Sequence, residues 1–203
     1  MSNLLSFPFE EDEYVKTAMT LSGQSEWEIK SLLTLIQQEL KPSITIELGI
    51  FSGGTTYLLS RVTSELTIGV DISPHYNNSL PISNISIFGG NTHDDTTYNV
   101  VSNKLNGRKC DLLFIDAEHN YDSVKKDFEI WKTLVRPGGW IVFHDIDPDH
   151  VNDNICQVSQ FWKELEGDKI EFIATDTHRE IGYGGIPIHY GGIGILKHNT
   201  KIV

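Results

Sequence analysis

The chain is short of cysteine, short of positive charge and free of long apolar runs, and each shortage removes a class of protein. Its two cysteines, Cys110 and Cys156, each lie beside an apolar segment and neither belongs to a CxxC pair. They exclude a disulfide scaffold or a zinc knuckle and read as reduced core thiols. Lys and Arg total 16 against 28 Asp and Glu, a formal charge of −12. A surface this acidic repels a phosphate backbone, so nucleic acid is not an expected partner. No apolar stretch approaches the ~20 residues of a membrane span, so no membrane contact is expected. Met1–Asp12 lacks a basic segment followed by an apolar one, which makes a secretory leader unexpected and the cytoplasm the expected compartment.

The 203 residues that remain to be explained are 39% hydrophobic and 22% charged, a composition for a globular core rather than a disordered chain. Their length suits one α/β domain spanning 1–203. Residues 1–25 read as irregular and acidic. An amphipathic leading helix is expected over 26–41, with Trp27, Leu32, Leu33, Ile36 and Leu40 near one stripe and Pro42 ending it. Strands and helices then alternate. Strands are expected at 44–48, 67–71, 85–88, 111–116 and 140–145, and helices at 55–62, 96–105, 121–135 and 151–165. Repeated βα units with apolar strands imply a doubly wound, mostly parallel sheet covered on both faces. Residues 170–175 and 192–197 have no helical pattern between them, so they read as an antiparallel pair with one reversed strand near the sheet edge.

The segment from Ile44 to Thr56, ITIELGIFSGGTT, runs from strand through a glycine turn into a helix. In a doubly wound sheet this turn faces the ligand crevice, and the helix that follows offers free N–H groups to an anionic ligand group. A dinucleotide fingerprint needs G-x-G-x-x-G; here Phe51 stands at the second glycine, where a pyrophosphate would meet a large side chain. The pattern is E-x-G-x-x-x-G-G, from Glu47, Gly49, Gly53 and Gly54. It resembles motif I of the class I S-adenosylmethionine-dependent methyltransferases. Asp71 closes the second strand, 22 residues past Gly49, where a carboxylate can accept hydrogen bonds from both ribose hydroxyls.

A second block carries D-x-x-H-x-Y, from Asp116, His119 and Tyr121, and G-G-x-x-x-x-H-D, from Gly138, Gly139, His144 and Asp145. It resembles motifs IV to VI of the same family, and more narrowly a subgroup of small bacterial enzymes similar to sugar and macrolide O-methyltransferases and cephalosporin hydroxylase-type proteins. The likeness covers roughly residues 40–150. It implies a Rossmann-like, seven-stranded fold with strand order 3-2-1-4-5-7-6 and one antiparallel strand. It also implies methyl transfer to a hydroxyl of a small-molecule acceptor, with S-adenosylmethionine bound by Glu47, Gly49, Phe51, Ser52, Gly53, Thr55, Asp71, Ile72, Asn91, Asp116 and His119. Asn91 is the candidate on the adenine side. Asp116 and Asp145, ending adjacent strands, are the candidate ligands of a Mg²⁺ ion, although His144 stands where some relatives carry an acid. His119 is the preferred general base, and His144 and Asp145 complete the candidate catalytic set. Asp147, Asp149 and His150 continue toward the acceptor side. The stretch 176–191, with His178, Arg179, Tyr183, His189, Tyr190 and four glycines, has the composition of a lid or binding loop. A nicotinamide-dependent oxidoreductase and a non-catalytic cofactor-binding accessory protein are the rival readings. The sequence leaves open a homodimer and whether residues 1–25 cap the site.

Overall fold

The computed structural model describes residues 12–148, 156–173 and 191–199. The glycine-rich stretch up to Tyr190, and Asp149 and His150 with the first part of the expected 151–165 helix, lie outside them. Five strands run parallel: β1 (Ile44–Leu48), β2 (Leu66–Asp71), β3 (Ile85–Gly89), β4 (Cys110–Ile115) and β5 (Val135–His144). β6 (Lys169–Phe172) and β7 (Ile193–Lys197) complete the sheet, with β7 antiparallel to both β5 and β6. The order is β3-β2-β1-β4-β5-β7-β6. Strand order reverses between β1 and β4, and a crevice opens above their carboxyl ends.

Alternation along each strand divides the core into two layers. Ile44, Ile46, Leu48, Leu113 and Ile115 face α4 (Asp95–Leu105), α5 (Tyr121–Trp131) and α6 (Val158–Glu164). Leu112, Phe114 and Val142 face α1 (Glu13–Leu21), α2 (Glu26–Leu35) and α3 (Gly54–Val62). Phe128, Phe143, Phe161 and Trp162 form a run of ring contacts under α6, and Gly194 on β7 leaves room for the Trp162 indole.

Four sequence expectations need correction. Residues 13–21 are helical, not irregular: Asp12 caps α1 by accepting from the Tyr14 and Val15 amides, and Val15 and Ala18 bury its inner face. The leading helix is α-helical only to Leu35, then widens into a π-turn over Ile36–Leu40 that Lys41 closes in the left-handed region at φ 48°. The helix expected to reach 135 ends at Trp131, a 3₁₀ turn follows over Lys132–Leu134, and β5 already begins at Val135. Pro137-Gly138-Gly139 therefore lies within the strand, where the β4–β5 register shifts between Cys110 and Leu112. A Cβ on Gly139 would press on the Asp111 carbonyl at 2.8 Å. Within the described part of 151–165, the helix runs from Val158 to Glu164.

Candidate active site

Above the strand ends lies a cavity of about 780 Å³, within the usual range for a small-molecule site. Glu47, Gly49, Phe51, Thr55, Asp71, Ile72, Asn91, Asp116, His119, His144 and Asp145 all line it. Ser52 and Gly53 do not. The Ser52 carbonyl accepts from the Asn77 amide, and the space beside Gly53 is filled by the Tyr76 ring.

The glycines of the β1–α3 turn are required by the protein itself. Gly49 (φ 81°) passes directly over the Asp116 carbonyl and Ala117, so a side chain there would separate the ends of β1 and β4. Gly54 meets the backbone of Ala18, Leu21 and Ser22 at the end of α1. The ligand-facing side of the turn is held by Asp71: one carboxylate oxygen accepts from the Ile50 and Phe51 amides at 3.0 and 3.2 Å, and the other accepts from Ser73 at 2.8 Å. Phe51 and Ile72 are each 74% exposed at the rim, two apolar side chains facing an open cleft. Below them Glu47 is fully buried, and among the described residues neither of its carboxylate oxygens has a hydrogen-bond partner. Burial pushes its carboxyl up to about 8, opposed by the Thr56 hydroxyl, which does not itself reach hydrogen-bond geometry.

On the opposite side four side chains converge. His144 Nδ1 lies 3.2 Å from Asp116 Oδ1 and 3.4 Å from Asp145 Oδ1. The His119 ring bridges the same acids, Nε2 at 3.4 Å from Asp116 and Nδ1 at 3.5 Å from Asp145. Burial works against both carboxylates, yet His144 and His119 draw Asp116 well below the ordinary range and lower Asp145 as well. The histidines respond in kind. Contact with Asp116 raises His119, and the two acids lift His144 well above its usual value despite burial. Asp145 adopts the left-handed region at φ 61°, and its Oδ1 accepts from the Gly191 amide, fixing the end of β5 against the entry to β7. The buried sulfur of Cys156 lies beside His119 and Asp145. Asp147 is buried directly after this cluster.

Several lining residues were missed in the sequence. Ser22, Gly23 and Gln24 form one wall, which places the chain after α1 over the site. Gln24 Nε2 donates to Asp116 Oδ2 at 2.8 Å, so the oxygen of Asp116 that faces away from the histidines is also engaged. Gln157 holds the loop bearing His119, donating its amide to the His119 carbonyl and accepting from the Tyr121 amide. No local motif marks either glutamine; only the sheet topology brings them there. At the far end the β3–α4 turn supplies Asn91, Thr92 and His93. Asn91 is exposed, and its side-chain oxygen accepts from the His93 amide at 2.8 Å, a role internal to the turn.

The strand order, the glycine turn under β1 and the acid at the end of β2 are those of the class I S-adenosylmethionine-dependent methyltransferase fold. Residues 46–146, about half of the chain, match the family model described as a methyltransferase domain, and that segment belongs to the family. An uncharacterized protein of Acanthamoeba polyphaga mimivirus is 30% identical over 112 residues, 49% of this chain and 50% of the relative. An uncharacterized protein of Sinorhizobium fredii is 33% identical over 69 residues, 34% of this chain and 7% of the relative. The chain thus spans about half the length of the first relative and a small part of the second. Among solved structures, an O-methyltransferase from Bacillus cereus in complex with S-adenosylhomocysteine superimposes with a TM-score of 0.65 at 18% identity, covering 93% of this chain and 92% of that one. MycE from the mycinamycin biosynthetic pathway, in complex with Mg and S-adenosylhomocysteine, gives 0.50 at 16% identity over 82% of this chain and 48% of that one. At these identities the likeness establishes the fold. Among the described residues, no helix is long and apolar enough to cross a membrane.

Proposed function

We propose that this chain transfers the methyl group of S-adenosylmethionine to a hydroxyl of a small-molecule acceptor. The carrying observation is the arrangement of one cavity between two unlike walls: the Asp71-braced glycine turn with Glu47 on one side, and the Asp116–His119–His144–Asp145 cluster on the other. Glu47 suits the cofactor's α-ammonium, because a fully buried carboxylate with no hydrogen-bond partner among the described residues gains from a cationic one. Asp71 retains acceptor capacity for the ribose hydroxyls beyond the amides it already binds, and Phe51 and Ile72 offer apolar surface beside them. The Bacillus cereus neighbour was solved with S-adenosylhomocysteine, in keeping with this reading.

The cofactor, when bound, supplies an electrophilic methyl on a sulfonium, so no covalent enzyme intermediate is needed. The chain's own contribution is to hold the acceptor oxygen in line with that methyl and to manage its proton. His119, half-exposed at the mouth of the cluster, is placed to take the hydroxyl proton, and the flanking Asp116 and Asp145 stabilise the imidazolium that results. The same cluster fits a hard divalent cation. Asp116, Asp145 and His144 present donor atoms within 4.8 Å of one another, and the two carboxylates would supply the countercharge. MycE, which shares the fold, was solved with Mg, in keeping with a metal-assisted reading. Asp116, Asp145 and His144 would hold such an ion, and the chemistry it would supply is a lowered pKa for a hydroxyl beside it. The reading is tested by following S-adenosylhomocysteine release with sugar, macrolide and phenol acceptors, with Mg²⁺ and with EDTA. Turnover of at least one hydroxyl acceptor is expected, lost in Asp145→Asn. Turnover of amine acceptors alone would overturn the hydroxyl assignment.

A further inference from the structure

Asp145 faces two ways. Its Oδ1 accepts from the Gly191 amide and lies toward His144, while its Oδ2 stands 3.5 Å from His119 Nδ1. On that second side lies the buried sulfur of Cys156, which has no part in the chemistry above. His119, Asp145 and Cys156 each bring one donor atom to within 4.8 Å of the other two. Three separate segments supply them, and backbone contacts hold the segments together. Gln157, next to Cys156, donates its amide to the His119 carbonyl at 2.7 Å, and its side chain accepts from the Tyr121 amide at 3.1 Å. The thiol is thereby tied to the loop that carries His119, and it donates to the Asp145 carbonyl at 3.8 Å. No local spacing marks this group; the cysteine stands far along the chain from the histidine.

The donor set is a ring nitrogen, a carboxylate oxygen and a sulfur. Mg²⁺ demands oxygen ligands, whereas zinc accepts all three kinds. On a tetrahedral zinc ion, nitrogen and oxygen ligands at about 2.1 Å stand about 3.4 Å apart, close to the 3.5 Å between His119 Nδ1 and Asp145 Oδ2. His119 is half-exposed and lines the cavity, which gives an ion its way in. We propose that His119, Asp145 and Cys156 form a binding site for Zn²⁺, sharing only Asp145 with the harder Asp116–His144–Asp145 set. As the sulfur–metal bond forms, the thiol proton passes to solvent. With the metal on Nδ1, the neutral His119 ring keeps its hydrogen on Nε2 and has no lone pair left to take a proton. Building on the proposed function, zinc is therefore an inhibitor of methyl transfer by this chain.

The test is a Co²⁺ titration of the full chain in Mg²⁺-containing buffer, read by absorption. Wild type is expected to develop an intense thiolate-to-cobalt charge-transfer band, which Zn²⁺ discharges by displacing the cobalt. Cys156→Ser is expected to abolish the band. His119→Ala is expected to weaken cobalt affinity by about tenfold or more, the least that loss of even an outer partner costs. The half-exposed His119 decides the matter if Cys156→Ser fails to fold. Absence of the band in wild type, its persistence in Cys156→Ser, or an unchanged affinity in His119→Ala overturns the inference. Inhibition of methyl transfer is expected to need about tenfold or more Zn²⁺ in Cys156→Ser than in wild type; equal inhibition overturns the inhibitory role. If no hydroxyl acceptor is turned over, the proposed function falls, and the cobalt spectrum still decides the site.

Discussion

At the scale of single residues, Glu47 and Asp145 carry the sharpest expectations. Glu47 is raised in the folded state to about 8 from an ordinary 4.5 by burial. A carboxyl raised by folding costs stability once the unfolded chain ionises: nothing below pH 4.5, a growing penalty up to about pH 8, and a constant one above. Glu47→Gln is therefore expected to match wild type near about pH 4 and to exceed it near about pH 9 in denaturant unfolding, while binding S-adenosylhomocysteine more weakly through loss of the anionic partner. Asp145 sits at φ 61°, which Asn tolerates better than most residues. Asp145→Asn should thus keep the backbone and lower kcat by about a hundredfold or more, with S-adenosylhomocysteine affinity little changed. Asp145→Ala should add a further ~1 kcal/mol of instability from strain. Both acids were legible in the sequence, Glu47 because it opens the E-x-G turn motif and Asp145 because it follows an apolar strand. Gln24 and His93 were not, because a polar residue in a turn carries no mark of what it faces.

Elements show where periodicity succeeds and where it fails. The β1 to β5 strands were readable since buried parallel strands are continuous apolar runs, and their helices since their stripes recur at helical spacing. α1 was not, for it is short and commits only Val15 and Ala18 to the core. Its signal was the cap at Asp12 rather than the stripe. The fifth strand was expected only from 140, when the chain had already entered β5 at Val135 and Gly139 was needed against the Asp111 carbonyl. The join of α1 to α3 is the element most open to test. A Cβ on Gly54 would strike the backbone of Ala18, Leu21 and Ser22, and backbone cannot rotate away. Gly54→Ala is expected to cost about 1–3 kcal/mol in unfolding free energy. It should also weaken S-adenosylhomocysteine binding, because the displaced segment is the Ser22–Gln24 wall of the cavity.

For the whole molecule, the formal charge of −12 and the cavity lining bear on what can enter. An acidic protein whose site holds Glu47, Asp71, Asp116 and Asp145 disfavours anionic acceptors unless a cation accompanies them. Neutral hydroxyl compounds are expected to be turned over ahead of phosphorylated or carboxylated ones in matched acceptor pairs. The fold class was legible because alternating βα units constrain topology, and the strand order because the family resemblance implied it, whereas the acceptor was not, since it is defined by side chains that several distant segments contribute to one wall. The first rival, a nicotinamide-dependent oxidoreductase, shares the sheet and differs in the ligand under the glycine turn.

The most direct measurement is isothermal calorimetry of S-adenosylhomocysteine binding to wild type and Asp71→Asn, with and without Mg²⁺. Micromolar binding to wild type, weakened by about tenfold or more in Asp71→Asn through loss of the ribose and loop contacts, is the expected result. Absence of heat with wild type under both conditions, or tight binding of NAD in its place, would contradict it.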